Sequence, residues 1–403
     1  MTHLCRHCHG SDTLPFLDLG YAPPSNDYLS TEHLSQPERT YPLRLFVCRT
    51  CRLVQTEDVA SGEALFREDY AYFSSTSSSW VAHAKAYCDA ITQRLGLDRS
   101  AHVIEVASND GYLLRNFVSS GIPCLGVEPT RSTAAAATKQ GINVIEAFFG
   151  AQMAQGLPKS DLVIGNNVFA HVPDINDFSK GLATCLKPQG VITLEFPHLL
   201  ELVTHHQFDT VYHEHFSYLS LVSVERIFAA AGLRVFDVEH LRTHGGSLRI
   251  YGCLQSANHE ETAQVTSLRA LEAHQGMTSD DFYLGFQAKA ERVKDDFLRF
   301  LLKVKDEGAS IAGYGAAAKG NTLLNFAGVR PDLMPFVCDA ASFKIGKYLP
   351  GSHIPIKAPD ALKQNPPDYL VIFPWNIAEE ITRSLDWMDN TRFVIAVPEL
   401  KCL

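Results

Sequence analysis

The chain has 403 residues, of which 46% are hydrophobic and 20% charged, and it carries a net charge of −10 with an isoelectric point near 5.9. This length and composition provide for a large core and predict two or three domains. The negative charge argues against a nucleic acid as the main partner, and ten cysteines in so long a chain do not suggest a disulfide scaffold. The absence of a long apolar run and of a signal peptide predicts a soluble cytoplasmic protein without membrane contact.

Two C-x-x-C pairs stand near the start of the chain, formed by Cys5 and Cys8 and by Cys48 and Cys51. This spacing lets two thiolates from one tight turn share a tetrahedral metal ion, so the two pairs predict one zinc site. A site closed by four cysteines has no open coordination position, and the zinc should therefore be structural. We expect residues 1–60 to form a small strand-rich lobe around it.

The following residues, 61–100, are expected to form a helical linker. Its first half is rich in aromatic and hydroxyl side chains, among them Tyr70 and Tyr72. These side chains suit the wall of a polar cleft, but the same composition also fits an N-capped helix whose rings only pack.

Residues 101–255 alternate between apolar runs and helical spacers, which predicts right-handed crossovers and a parallel sheet. A helix near 223–231 and an antiparallel pair of strands should close this sheet. A closing pair of that kind is typical of the methyltransferase fold rather than of the dinucleotide fold. The predicted strands are 103–106, 124–127, 144–145, 162–164, 191–196, 233–238 and 247–251.

The first of these strands runs into a flexible turn, Ser-Asn-Asp-Gly at 108–111, where backbone N–H groups can meet a ligand. Glu128 follows the next strand, where an acid can bind ribose hydroxyls. The pattern resembles class I S-adenosylmethionine-dependent methyltransferases, although Ala107 and Asn109 stand where glycines are common. By that resemblance, Phe148 after the third strand and Asn166 and Asn167 after the fourth lie where the family contacts the adenine and methionine parts of the cofactor. The expected cofactor contacts are Glu105, Ala107, Asn109, Asp110, Gly111, Glu128, Phe148, Asn166 and Asn167.

The segment 208–218 holds the densest chemistry in the sequence. Tyr212, His213, Glu214 and His215 offer a phenol, two imidazoles and a carboxylate about a dozen residues after the fifth strand. This places them at the carboxyl edge of the sheet, where ligands bind in open α/β folds. A histidine here can remove a proton while Glu or Tyr orients it, whereas a solvated histidine-rich loop is the plain alternative.

Five features in one order resemble the sugar-nucleotide C-methyltransferases. They are the two zinc knuckles, the turn at 105–111, Tyr-His-Glu-His at 212–215, Thr-His-Gly-Gly-Ser-Leu-Arg at 243–249 and Gly-Tyr-Gly-Ala-Ala-Ala-Lys-Gly-Asn at 313–321. The resemblance covers nearly the whole chain, and the family has the same unusual Asn-Asp-Gly turn. It implies methylation of a carbon beside the ketone of a nucleotide-activated, dTDP-type 4-keto-deoxysugar, in deoxysugar or antibiotic biosynthesis, with S-adenosylmethionine and one structural zinc.

The resemblance also implies a mechanism. A base removes the proton from the carbon beside the ketone, the ketone oxygen carries the enolate charge, and that carbon attacks the sulfonium methyl group. His215 is then the expected base, with Tyr212 and Glu214 placing it and the ketone, and His171 is a second candidate. Tyr70 or Tyr72 would add a hydrogen bond.

Residues 256–305 should form a helical connector, and residues 306–403 a second Rossmann-like domain with strands near 310–314, 335–338, 369–373 and 392–396. By resemblance this domain faces the methyltransferase sheet and helps to hold the sugar nucleotide, whose two phosphates favour cations and N–H donors. The expected substrate contacts are His244, Lys319, Asn321, Lys344, Trp375 and Asn376.

Three rival functions keep the interpretation open. Gly313-x-Gly315-x-x-Ala318 followed by Asp339 also fits a dinucleotide fingerprint and would suit an NAD-dependent oxidoreductase. An O-methyltransferase would use the same cofactor site, and a zinc-knuckle RNA methyltransferase would show salt-dependent RNA affinity, which the negative charge disfavours. The sequence does not determine the oligomeric state, and it is compatible with a monomer.

Overall fold

The computed structural model describes residues 3–59 and 73–403, so Tyr70 and Tyr72 lie outside the described residues. The strands of the first two sheets are β1 (Thr13–Ala22), β2 (Tyr41–Cys48), β3 (Val54–Thr56), β4 (Val103–Val106), β5 (Cys124–Val127), β6 (Val144–Ile145), β7 (Ser160–Asn166), β8 (Leu186–Pro197), β9 (Ser217–Tyr218), β10 (Leu233–Leu241) and β11 (Ser247–Leu254). Those of the third sheet are β12 (Ile311–Tyr314), β13 (Val337–Cys338), β14 (Ile356–Lys357), β15 (Tyr369–Ile372), β16 (Arg392–Ile395) and β17 (Lys401–Cys402).

The helices lie mainly between the strands of the second and third sheets. They are α1 (Ser78–Leu95), α2 (Leu114–Ser119), α3 (Arg131–Lys139), α4 (Ala151–Ala154), α5 (Ile175–Cys185), α6 (Leu199–Thr204), α7 (Leu221–Ala230), α8 (Ala263–His274), α9 (Phe286–Asp306), α10 (Ala318–Phe326), α11 (Asp360–Gln364) and α12 (Ala378–Ser384). Among the helices of the described residues, none is both long and apolar enough to cross a membrane.

The central sheet has seven strands in the order β10-β11-β8-β7-β4-β5-β6. The strands from β8 to β6 run parallel, and β11 is antiparallel to both β8 and β10. All four residues of β4 are buried, which is why its three apolar side chains show no alternation with exposed polar ones, and Glu105 is a buried carboxyl among them. The closing antiparallel pair and the α/β class are as the sequence predicted, and they define a class I methyltransferase sheet.

The amino-terminal sheet has the order β1-β2-β3-β9 and is antiparallel throughout. Its fourth strand, β9, comes from the histidine-rich segment far along the chain, where Val54 pairs with Tyr218 and Gln55 with Ser217. The sequence does not reveal this pairing, because β9 has only two residues and so few side chains cannot show the alternation of a strand.

The third sheet has the order β14-β13-β12-β15-β16-β17 and is parallel except for β17. It is the second Rossmann-like unit that the sequence predicted. Helix α9 joins it to the rest of the molecule, because the buried apolar face of the helix belongs to one core cluster that includes residues of β1, β2 and the third sheet. Phe286 of this face stacks on Phe16 of β1 with ring centroids 4.8 Å apart. The helix therefore packs against the amino-terminal sheet as well as serving as a connector.

Candidate active site

The turn after β4 has an unusual backbone. Ala107, Asn109 and Gly111 have φ angles of 55°, 51° and 78°, a left-handed conformation that usually favours glycine. A side chain at Gly111 would overlap Ile142 as well. The turn thus has the shape that glycines give elsewhere, although two of its three left-handed positions carry other residues.

Carboxylates and amides surround this turn. The N–H of Asn109 donates to Oε2 of Glu128 at 2.9 Å, and the N–H of Thr130 donates to Oε1 at the same distance. Glu105 is buried, and burial together with the charges of Glu128 and Asp110 raises its pKa well above the usual value. Oε2 of Glu105 and Oδ1 of Asp110 are buried without a hydrogen-bond partner among the described residues.

The hydroxyl-rich segment before α1 crosses the same turn. The N–H of Ser74 donates to Oδ1 of Asn109 at 2.9 Å, and the N–H of Ser75 donates to Oδ2 of Asp110 at 3.2 Å. Trp80, in the first turn of α1, stacks on Tyr112 with centroids 6.2 Å apart. The described part of this segment therefore contacts the turn after β4, and its Ser77 also caps α1 by accepting from the N–H of Trp80 at 3.3 Å.

The end of β7 contributes two asparagines. Both amide atoms of Asn166 are buried and have no partner in the part of the chain that the structure describes. Nδ2 of Asn167 lies 3.1 Å from Nε2 of His244 and donates to it. Phe148 lies at the surface with 58% of its area exposed, so an adenine could stack on its ring. Unpaired buried amides and an exposed ring are features that a bound polar cofactor would satisfy.

Two histidines meet beside these asparagines. The rings of His171 and His215 are 4.5 Å apart in an edge-on arrangement. Nδ1 of His215 lies 3.1 Å from the carbonyl of Thr210, and Nδ1 of His171 lies 2.8 Å from the carbonyl of Glu214. A carbonyl only accepts, so each Nδ1 carries the proton and each neutral ring has its basic lone pair on Nε2.

Burial keeps both rings neutral. It lowers the pKa of His171 to about 4, and burial together with the neighbouring His171 lowers the pKa of His215 well below the usual 6.5. Burial likewise lowers the pKa of His244 to about 4. At neutral pH all three imidazoles are therefore proton acceptors rather than cations.

Tyr212 and Glu214 adjoin this pair. The ring of Tyr212 lies 4.0 Å from that of His215. Glu214 is buried, and Oε1 accepts from Nδ2 of Asn26 at 3.1 Å. Burial raises the pKa of Glu214 to about 6, and its Oε2 has no hydrogen-bond partner within the described ranges. His213, in contrast, turns toward the amino-terminal lobe, where its ring contacts Tyr41.

The third sheet brings a cation near these histidines, because the charge of Lys319 is, after burial, among the causes that lower the pKa values of His215 and His244. Nζ of Lys319 lies 4.3 Å from the centre of the Trp375 ring and donates to Oδ1 of Asn376 at 2.8 Å. Trp375 in turn donates from Nε1 to Oδ2 of Asp209 at 2.7 Å. Burial lowers the pKa of Lys319 to about 8 and raises the pKa of Asp209 to about 6. A desolvated cation of this kind suits an anionic ligand.

Two other expected substrate residues serve internal contacts. Asn321 is buried, with Nδ2 donating to the carbonyl of Ser25 at 3.3 Å. Lys344 donates to the carbonyl of Ala316 at 3.0 Å and to Oδ2 of Asp339 at 3.1 Å.

These contacts bear on the dinucleotide fingerprint. Tyr28 also donates to the Ala316 carbonyl, at 2.6 Å, so the amino-terminal lobe covers the turn after β12. The fingerprint acid, Asp339, accepts from the N–H of Ala341 at 2.8 Å in addition to Lys344. A covered turn and an engaged acid do not favour a nicotinamide dinucleotide.

A buried ionic network beneath the 243–246 loop escaped the sequence analysis. Glu195 on β8 binds Nε2 of His83 at 2.9 Å, Nη2 of Arg249 at 2.9 Å and Oγ1 of Thr243 at 3.0 Å. Sequence reasoning also missed Asn26, Trp80 and Asp209. Only Asp209 had a local signal, because it lies in the 208–218 segment five residues before Glu214.

Gly245 marks where this loop meets the third sheet. Its φ is 88°, and an added Cβ would overlap the ring of Trp375. We expect Gly245→Ala to raise the KM for the second substrate about tenfold or more by displacing Trp375, with unchanged cofactor affinity by calorimetry. Gly232→Ala is the control, because Gly232 has a similar φ of 73° with no atom within 4 Å of the added group. Equal KM values in the two variants would show that the position of Trp375 does not affect binding of the second substrate.

The four cysteines form one compact cluster. Their sulfur atoms all lie within 4.8 Å of one another, with Cys5 and Cys51 3.4 Å apart and Cys8 and Cys48 also 3.4 Å apart. Four thiolates at this separation fit one tetrahedral zinc ion with no open position, so the zinc is structural.

Three family models match separate parts of the chain, and a curated protein matches nearly all of it. Family models match as "C-methyltransferase C-terminal domain" at residues 242–398, as a methyltransferase domain at 80–238 and as a zinc binding domain at 5–66. The C-methyltransferase NovU of Streptomyces niveus is 35% identical over 401 residues, covering 98% of this chain and 95% of NovU.

Solved structures resemble parts of the chain more distantly. The PH0226 protein of Pyrococcus horikoshii OT3 is 15% identical, and the match covers 47% of this chain and 99% of that one with a TM-score of 0.39. Magnesium protoporphyrin IX methyltransferase of Synechocystis PCC 6803 is 15% identical, and the match covers 43% and 80% with a TM-score of 0.35.

The sheet order, the cofactor turn and the methyltransferase domain define an S-adenosylmethionine-dependent methyltransferase. The donor set around the turn fits this cofactor, because buried carboxylates and amides there lack partners among the described residues. Within that class the chain belongs to the C-methyltransferase family represented by NovU, with its structural zinc.

Proposed function

We propose that the enzyme methylates a carbon adjacent to the ketone of a nucleotide-activated 4-keto-deoxysugar, with a dTDP sugar as the first candidate. The observation that carries the proposal is the pair of neutral histidines whose Nδ1 atoms are both bonded to carbonyls, which leaves Nε2 of His215 as a base. Carbon methylation requires a base that removes a proton from a weakly acidic C–H bond, and the sulfonium cofactor cannot act as that base.

The side chains divide the work in the following way. When bound, S-adenosylmethionine supplies an electrophilic methyl group. Nε2 of His215 takes the proton from the sugar carbon, with Tyr212 and Glu214 placing the ring and the ketone. His171 packs against the base and is the second candidate for it. Tyr70 or Tyr72, which lie outside the described residues, would add the hydrogen bond that the family resemblance implies.

Residues around the 107–111 turn would hold the cofactor. Glu128 would bind the ribose hydroxyls, and Glu105, Asp110 and Asn166 would offer their unpaired atoms to the methionine amino group and its surroundings. Phe148 would stack on adenine. The backbone at Ala107, Asn109, Gly111 and Asn167 would line the cavity.

The sugar nucleotide would lie between the second and third sheets. Lys319 would neutralise a phosphate, with Trp375, Asn376 and His244 framing the passage toward His215. Lys344 would reach the nucleotide only by exchanging its contact with Asp339, and Asn321 would act through the packing of α10.

Solvent deuterium uptake tests this proposal. The enzyme is incubated in deuterated water with a deoxythymidine-diphospho-4-ketosugar, with or without S-adenosylmethionine, and the sugar is analysed by mass spectrometry. We expect enzyme-dependent uptake of deuterium without cofactor and a gain of one methyl group with it. The methyl proton signal of the product should fall in the carbon-bound range, and an oxygen-bound signal would establish O-methylation instead.

Absence of both exchange and methylation, while the cofactor still binds, would remove this sugar as the substrate. A panel of 4-ketosugar nucleotides with other bases and deoxygenation patterns would then be tested by the same uptake measurement. Failure of the whole panel would overturn the proposed reaction.

A further inference from the structure

One side chain of the first zinc knuckle reaches both histidine-bearing segments. Arg6 lies between Cys5 and Cys8, and only 4% of its side chain is exposed. Its Nη1 donates to the carbonyl of Pro173 at 3.0 Å, and its guanidinium lies 5.3 Å from the centre of the Phe216 ring. Pro173 is two residues after His171, and Phe216 directly follows His215, so Arg6 contacts the flanks of both.

The second knuckle leads into the strand that pairs with the same segment. β3 begins three residues after Cys51, and the N–H of Thr56 donates to the carbonyl of Phe216 at 3.1 Å. Nη2 of Arg6 donates to the carbonyl of Thr56 at 3.1 Å, which links the two knuckles at this strand. The backbone of residues 216–218 is therefore an extension of the sheet of the zinc lobe.

The zinc lobe makes a third contact with residues 214–218 through Asn26. Its Nδ2 donates to Oε1 of Glu214 at 3.1 Å, and Glu214 neighbours the proposed base. Contacts from the knuckle, from β3 and from Asn26 thus converge on residues 214–218.

We propose that the zinc lobe positions the catalytic histidines, with Arg6 as the positioning residue, so that metal loading and the geometry at His215 are coupled. Metal binding supplies most of the folding free energy of small zinc modules, because their ligand set does not form in the unfolded chain. Loss of the ion would therefore release Arg6 and β3 from residues 171–173 and 214–218, while β4 and the cofactor turn keep their own sheet. This inference rests on the proposed role of His215.

Replacement of Arg6 tests the proposal in the zinc-loaded enzyme. Arg6→Met keeps the apolar stem but removes the hydrogen bonds, and we expect kcat to fall about 10-fold to 100-fold because small displacements of a catalytic group are costly. Zinc content by atomic absorption and cofactor affinity by calorimetry should not change. The control is Arg49→Met, since Arg49 occupies the same place in the second knuckle but binds Asp12 and Asp280. Unchanged kcat in Arg6→Met, or equal losses in both variants, would overturn the proposal.

Hydrogen exchange gives a second measurement that needs no substrate. After zinc is removed with a chelator, we expect residues 54–56 and 214–218 to lose protection together, while 103–106 stay protected and the cofactor still binds. Retained protection at 214–218, or loss that includes 103–106, would overturn the coupling.

The two proposals fail separately. If Arg6→Met slowed turnover and exchange showed the coupling while a His215 variant stayed active, only the assignment of the base would be wrong. If a His215 variant were inactive while Arg6→Met kept full turnover with its zinc bound, the positioning role alone would be wrong.

Discussion

Replacement of His215 by asparagine is expected to lower kcat by about 10²–10⁴-fold, because a positioned general base contributes about that factor. The affinity for S-adenosylmethionine should not change, since the residues that we propose to hold the cofactor, the 107–111 turn and Glu128, do not include this ring. Steady-state kinetics with the sugar nucleotide and calorimetry with the cofactor measure the two quantities. Solvent deuterium uptake into the sugar should fall in parallel with kcat.

His205→Asn is the matched control, because His205 follows α6 with 51% of its side chain exposed and precedes the same segment. Its kcat should equal that of the unmodified enzyme. Burial lowers the pKa of His215 well below 6.5, so the base is already neutral at pH 6.5 and its protonation should not reduce kcat/KM above that pH. Near-full turnover in His215→Asn would assign the base elsewhere, with His171 next to be tested.

The second large effect is expected from Glu195→Gln, which removes the charge at the centre of the buried network. The carboxylate of Glu195 is fully buried, and only 5% of the Arg249 side chain is exposed. Burial alone would raise the pKa of Glu195, but the hydrogen bond from His83 and the charge of Arg249 hold it below the usual value. The substitution leaves the buried Arg249 with the half-exposed Glu239 as its remaining charged partner, and breaking a buried ion pair costs about 3–5 kcal/mol. We therefore expect the thermal midpoint to fall by about 6–12 °C or more, measured by circular dichroism.

Glu239→Gln controls for this substitution, since Glu239 binds the other nitrogen of Arg249 with 46% of its side chain exposed. A solvent-exposed partner contributes about 0–1 kcal/mol, so this variant should melt within about 4 °C of the unmodified enzyme. Equal shifts in the two variants would show that burial of the Glu195 charge is not what stabilises the loop. Glu195→Gln should also raise the KM for the sugar nucleotide, because glutamine has one acceptor oxygen for the three donors that Glu195 binds, and Thr243 then competes with His83 and Arg249 for it.

The site could be read from the sequence where short stretches carry their chemistry locally. The two C-x-x-C pairs predicted the four-cysteine cluster, because ligand spacing within a turn is a local property. Strands β4 and β5 were predicted at their observed ends because short, mainly apolar runs bounded by turn residues mark them, with β4 fully buried and β5 buried in its second half. The ends of β7 and β8 were placed short, since pairing continues through Asn166 and Pro197 after the apolar runs end.

Contacts between distant segments could not be read in this way. The pairing of β3 with β9, the reach of Arg6 to Phe216 and the approach of Trp375 to Asp209 join residues up to 210 positions apart. No periodicity or spacing encodes such pairs, because each partner has an ordinary local sequence.

The sequence by itself determined the fold class, the zinc ligands, the turn after β4 and the order of motifs that resembles the C-methyltransferases. The tertiary structure alone decided which nitrogen of His171 and His215 is basic, because the carbonyls of Glu214 and Thr210 fix the protons on Nδ1. It also decided that the zinc lobe contacts residues 214–218. Both depend on the packing of three sheets against one another, and that packing follows from surface fit over the whole chain rather than from any local pattern.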